Sequence, residues 1–124
     1  MDLIIGGAFQ GKTEFAIKKF GLSRENIFTC AGTNVDFSKP CISGLAEFTY
    51  ACVRENLDPV NFFREHREMW ENSVLILEDI SAGVVPMKAE LRQWREKNGR
   101  LGQYLTGEAQ GVYRVFCGLG QKLK

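Results

Sequence analysis

Gly6-Gly7-Ala8-Phe9-Gln10-Gly11-Lys12-Thr13 satisfies G-x-x-x-x-G-K-[ST] at every fixed position, and no other segment constrains the chain as strongly. With this chain's residue frequencies, such a match arises by chance in roughly 1 of 150 chains. Its surroundings fit. Leu3-Ile4-Ile5 before it is a short apolar run, and Phe15, Ala16, Lys19 and Phe20 after it follow helical spacing up to Gly21. A strand, a glycine loop and a helix in that order form a phosphate cradle: successive backbone amides curl around an anion and the helix N-terminus adds its positive end. Gly6 and Gly11 let the main chain approach phosphate oxygens, Lys12 reaches the β- and γ-phosphates, and the Thr13 hydroxyl is a hard ligand for magnesium. The expected nucleotide contacts are therefore Gly6, Gly7, Ala8, Phe9, Gln10, Gly11, Lys12 and Thr13, with ATP or GTP and Mg2+ as the bound species.

The rest of the chain supplies a frame for that loop. Ile27 to Cys30, Ser73 to Leu77 and Val112 to Cys117 read as further strands, the middle one apolar throughout after its serine, as in a parallel sheet buried on both faces. Ser43 is expected to cap a helix whose Leu45, Phe48, Cys52 and Val53 share a face. Asp58-Pro59 opens another, expected to run to about Trp70. Met87, Leu91 and Trp94 stripe a helix expected to stop at Asn98-Gly99, with a shorter one from Arg100 to Ala109. Alternating strands and helices predict an α/β domain with a mostly parallel sheet and right-handed crossovers. At 124 residues, one domain spanning 1–124 accounts for the whole length.

Glu78-Asp79 closes the third strand, where a carboxylate that holds phosphate-bound magnesium or takes a proton belongs. Lys12, Asp79 and Glu78 are thus the candidate catalytic groups, and Thr13 with Asp79 the candidate metal ligands. Arg100 and Gln103 are candidates for contact with a γ-phosphate or a phosphorylated substrate. Trp70 and Trp94 are expected to pack in the core, and His66 to sit at its edge or in solvent.

Charge narrows the partners. The chain carries 16 Lys/Arg against 15 Asp/Glu, so no general attraction to nucleic acid or anionic membrane is expected. The balance is uneven: residues 87–124 hold 8 basic and 3 acidic side chains, residues 1–86 hold 8 and 12. The longest aliphatic run, Val74 to Leu77, is too short to span a bilayer, and the amino end lacks a signal-peptide pattern, which predicts a cytoplasmic protein. Cys30, Cys41, Cys52 and Cys117 form no C-x-x-C pair and are expected to stay reduced. A domain this small buries limited apolar surface, so a homo-oligomer would add to it.

Taken with the loop, Asp79-x-x-x-Gly83-Val84-Val85-Pro86, Arg95-Glu96-x-x-Gly99-Arg100-x-x-Gln103 and the closing Gly118-Leu119-Gly120-x-x-Leu123-Lys124 resemble the bifunctional adenosylcobinamide kinase/adenosylcobinamide-phosphate guanylyltransferase family. The resemblance implies a three-layer P-loop NTPase-like domain related to the RecA-like group. It implies a cytoplasmic oligomer of cobalamin assembly that phosphorylates a corrinoid alcohol, then transfers GMP to that phosphate through a histidine-nucleotide intermediate. The chain departs from the family where the guanylylated histidine is carried: Asn34 to Pro40 is short and holds none, and the chain's one histidine is His66. Pro40-Cys41 stands for the family's Asp-Cys pair at the next strand's end. These departures favour the kinase step over the guanylyl step; the alternative is a shortened, inactive nucleotide-binding module acting through a protein partner.

Overall fold

In the computed structural model, residues 1–81 and 87–124 are described; Gly83 to Pro86 of the family-like segment lie outside them. β1 (Asp2–Gly6) is the hub of the sheet. It pairs in parallel with β4 (Val74–Glu78) on one side, in register from Asp2↔Val74 to Gly6↔Glu78, and with β5 (Gly111–Phe116) on the other. β3 (Cys41–Ser43) and β2 (Ile27–Thr29) extend the sheet beyond β4, and β6 (Leu119–Lys122) runs antiparallel beside β5, so the order is β2-β3-β4-β1-β5-β6. This is the expected α/β architecture with a mostly parallel sheet.

Period-two alternation builds two cores from the same strands. Ile4, Val74, Ile76 and Val115 face α1 (Lys12–Phe20), where Phe15 and Phe20 meet the Tyr113 ring. Leu3, Leu75, Leu77 and Val112 face the opposite layer. That layer holds α2 (Leu45–Arg54), α3 (Pro59–Glu65), α4 (Arg67–Trp70) and α5 (Ala89–Glu108), which bury Phe48, Phe63, Trp70, Leu101 and Leu105. Trp70 is fully buried and donates its indole N–H to Phe63 O, as expected of a core residue, whereas Trp94 is half-buried outside both cores, donating to Ala46 O and packing edge-on against Tyr50.

Several boundaries differ from expectation. Asp58 caps α3 by accepting from the amides of Val60 and Asn61, but the helix ends at Glu65 and a separate turn carries Trp70. The break falls at His66, whose Nδ1 lies 2.6 Å from Phe62 O and whose ring packs in a triangle with those of Phe37 and Phe62. Ser43 ends β3 instead of capping α2, whose N-cap is Gly44. Cys41 is the first residue of β3 and fully buried, so Ser43-Gly44, not Pro40-Cys41, stands where that strand ends. α5 passes without a break through Asn98-Gly99, because Asn98 is buried and bonded on both sides while Leu101 and Leu105 seat the second half. In that helix, tertiary anchoring overrides glycine's low propensity.

The four cysteines are free thiols. Burial pushes Cys30 up to about 12 and Cys41 and Cys52 each up to about 11, while Cys117 is exposed on the turn between β5 and β6. At pH 8 a maleimide should therefore label Cys117 alone in the folded protein and all four sites after denaturation. Rapid labelling of two or more native sites by mass spectrometry would contradict this packing.

Candidate functional site

The glycine loop leaves the C-terminal end of β1 and enters α1, at the edge of the sheet where parallel strands end. Gly6 can only be glycine: a Cβ there would lie 2.5 Å from Val115 O on the neighbouring strand. Gly11, at φ 89°, turns the chain into the helix in the left-handed region. Among the described residues, the amides of Gly11 to Thr13 at the start of α1 have no carbonyl partner; the first loop-to-helix bond is Phe15 N–H to Gly11 O at 3.0 Å. A run of free donors that opens a helix is an anion cradle.

Two braces set the loop's shape. Gly118 N–H donates to Gln10 O at 2.8 Å, and Cys117 N–H donates to the Gln10 side-chain Oε1 at 2.6 Å. Both come from the β5–β6 turn, where Cys117 and Gly118 have φ of 50° and 78°. Positive φ at both central residues is the two-residue hairpin geometry that matches strand twist. Phe9, between the braced residues and the strand, holds φ 59° with its side chain 103% exposed. An aromatic residue in that region is strained by about 1–2 kcal/mol, and this one has no packing to lose. Phe9→Gly should thus raise unfolding stability by about 1 kcal/mol in a urea titration; a drop would show that the ring supports the loop.

Lys12 Nζ donates to Gly7 O at 2.6 Å, which holds the ammonium inside the curve of the loop. Burial lowers its pKa, and the Glu78 carboxylate nearby partly offsets that. Lys12, Thr13, Ser43, Gly44, Ile76 and Glu78 line one cavity of about 240 Å³ with Phe9, Gln10, Gly11 and Glu14, while Gly6, Gly7 and Ala8 of the expected contacts are not among its lining residues. The structure separates the two acidic residues. Glu78, on the same strand face as Ile76, borders the loop cavity, whereas Asp79 faces the other side. Asp79 Oδ1 accepts from the Ser81 amide at 2.9 Å and hydroxyl at 2.6 Å, which holds its pKa below the usual carboxylate range, with Arg114 and Arg95 adding to the effect.

The geometry therefore puts Glu78, not Asp79, opposite Thr13. Both are hard oxygen donors of the kind magnesium prefers. Among the described residues no group of three or more His, Cys, Asp or Glu could hold a metal ion by itself. Arg100 is distant from the loop cavity, paired with Glu96 at 2.5 Å and beside the start of α3. Gln103, one turn on, instead borders a second cavity with Asp79 and Ser81.

Asn98 escaped the sequence reading because it sits where a helix was expected to end. Its Nδ2 donates to Glu78 O at 3.0 Å and its Oδ1 accepts from the Thr49 hydroxyl at 2.8 Å, so it ties α5 and α2 to the strand end that carries Glu78. Ser43 and Gly44 were also missed as cavity residues, since a three-residue strand leaves no periodic trace. No helix among the described residues is long and apolar enough to cross a membrane.

A sequence-family model described as cobinamide kinase / cobinamide phosphate guanyltransferase matches residues 50–123. The match takes in β4, α5 and β5, including Glu78, Asp79 and Asn98, and begins after the glycine loop. No curated protein matches the chain.

Proposed function

Because the chain belongs to the cobinamide kinase / cobinamide phosphate guanyltransferase family, we propose that it is a magnesium- and nucleoside-triphosphate-dependent kinase for a corrinoid alcohol. The family match supports a nucleotide-using transferase of cobalamin biosynthesis. The observation that carries the kinase reading is the set of carbonyl-free amides from Gly11 to Thr13 that opens α1 beside the Lys12 ammonium, with Thr13 and Glu78 on the same cavity.

Each group has a task in phosphoryl transfer. The amides donate to β- and γ-phosphate oxygens, and the N-terminus of α1 adds its partial positive charge. Lys12 neutralises charge that develops on the transferring phosphoryl group, and an anion there restores the ammonium that burial disfavours. Thr13 and Glu78 would hold magnesium, which when bound screens the phosphates and fixes their orientation. Positioning and electrostatics supply most of the catalysis, so no covalent protein intermediate is needed. ATP and GTP both fit a loop that contacts only phosphates.

The guanylyl step is outside this proposal. His66 follows α3 on the way into β4, bonded to Phe62 O and stacked on aromatic rings, while the glycine loop lies where β1 ends. GTP labelled in its α-phosphate should leave no covalent label on the protein; label retained on His66 after denaturation would restore that step. The kinase test is direct: protein, magnesium, ATP or GTP, and cobinamide, with the product weighed by mass spectrometry. Cobinamide phosphate is expected. Tight nucleotide binding without any phosphorylated corrinoid would instead mark an inactive nucleotide-binding module.

A further inference from the structure

The second cavity, about 400 Å³, lies on the sheet face opposite α1, between the C-terminal ends of β1 and β4 and one side of α5. Its floor is Ile5 and Leu77, its rim Asp79 and Ser81, and its far wall Gly102 and Gln103. Glu78 borders this cavity as well as the loop cavity, so the two meet at the carboxylate that faces Lys12. We infer that this cavity is the acceptor site of the kinase proposed above, taking the alcohol-bearing arm of a substrate too large to be enclosed. The inference rests on the kinase reading and adds where the second substrate binds.

Three features carry it. First, the lining combines an apolar floor with carboxylate, hydroxyl and amide groups, the mixture that orients an alcohol on an amide-bearing arm. Second, Gly99 stands inside a helix of 20 residues, where it costs about 1 kcal/mol relative to alanine; Gly102 is accounted for by packing, since a Cβ there would lie 3.2 Å from Leu77 Cδ2. A Cβ at Gly99 would meet nothing within 4 Å, so packing does not require that glycine, and its lack of a side chain leaves the cavity wall open there. Third, the same sheet face continues outward. Ile5 pairs with Arg114, and beyond it Arg114, Phe116, Leu119 and Gln121 line a hollow of about 270 Å³ with Phe116 and Leu119 61% and 76% exposed. Exposed apolar side chains beside the cavity mouth give the body of a large flat substrate a surface to lie on.

In this arrangement the acceptor hydroxyl oxygen forms a bond to the γ-phosphorus as the bond from that phosphorus to the β–γ bridging oxygen breaks. The nucleoside diphosphate leaves with the bridging electron pair, and the hydroxyl proton passes to the Asp79 oxygen not engaged by Ser81.

The test is equilibrium dialysis of cobinamide, followed by its visible absorbance, against protein loaded with magnesium and a non-hydrolysable triphosphate. Gly99→Leu should weaken cobinamide binding at least tenfold, leave triphosphate affinity within twofold, and keep or raise the melting temperature. Thr106→Leu, which fills the cavity from the same helix, carries the same expectation should Gly99→Leu fail to fold. Unchanged cobinamide affinity in both variants overturns the site while the kinase reading stands. A parent protein that binds triphosphate but no cobinamide overturns both.

Discussion

Replacing Lys12 with methionine is expected to lower ATP and GTP affinity by about 10- to 100-fold while leaving the fold intact. The affinity loss follows from removing a charge-assisted contact to phosphate in a partly dehydrated site, where one such interaction is worth about 1.5–3 kcal/mol and its charge also balances the triphosphate. The fold should survive because the ammonium is a burden on it: burial lowers the Lys12 pKa, so the native state disfavours the charged form. That penalty is present at neutral pH and fades as the pH rises and the amine loses its proton. Methionine matches the length of the stem, does not carry the charge, and forgoes the 2.6 Å bond to Gly7 O and the attraction of Glu78. Urea midpoints should therefore move by less than about 1 kcal/mol as calorimetric nucleotide binding weakens. Loss of folding with loss of binding would recast Lys12 as a structural residue.

Asn98→Ala should do the opposite, costing about 2–4 kcal/mol of stability out of the roughly 5–15 typical of a domain. Asn98 is 4% exposed, and its removal strands two groups at once, the carbonyl of Glu78 and the hydroxyl of Thr49. The Thr49 proton can still reach Ala46 O at 2.9 Å, which keeps the loss below that of two orphaned groups. The functional consequence travels through Glu78: with its carbonyl released from α5, the end of β4 is no longer fixed opposite Thr13. Stability in urea and phosphoryl transfer should fall together, and the transfer defect should persist at temperatures where the variant is fully folded. A variant with full activity and reduced stability would confine Asn98 to the core.

The loop was legible because its constraints are local. Glycines at fixed spacing, a lysine and a threonine are demanded by backbone geometry and phosphate chemistry wherever the rest of the chain goes. β1 and β4 were legible as contiguous apolar runs, and β5 as a β-branched and aromatic stretch interrupted by Arg114. β3 was not, because Cys41-Ile42-Ser43 follows a turn-rich stretch and three residues do not define a period. β6 was invisible for another reason: all four of its residues are exposed, so its place depends on the turn at Cys117-Gly118 and on pairing with β5. α5 shows the limit of propensity, since Asn98-Gly99 carries a stop signal that buried hydrogen bonds override. The choice between the adjacent carboxylates did have a sequence signal. Residues 76 and 78 share a strand face, so once Ile76 is placed against α1, Glu78 goes to the loop side and Asp79 to the other.

The account stands on a triphosphate being held by main-chain amides at the start of α1. Titrating 15N-labelled protein with magnesium and ATP or GTP reads those amides one by one. The predicted result is saturable shifts concentrated on Ala8 through Glu14, with smaller ones at Ser43, Gly44 and Glu78. Shifts confined to other surfaces, or none at millimolar triphosphate, would contradict it.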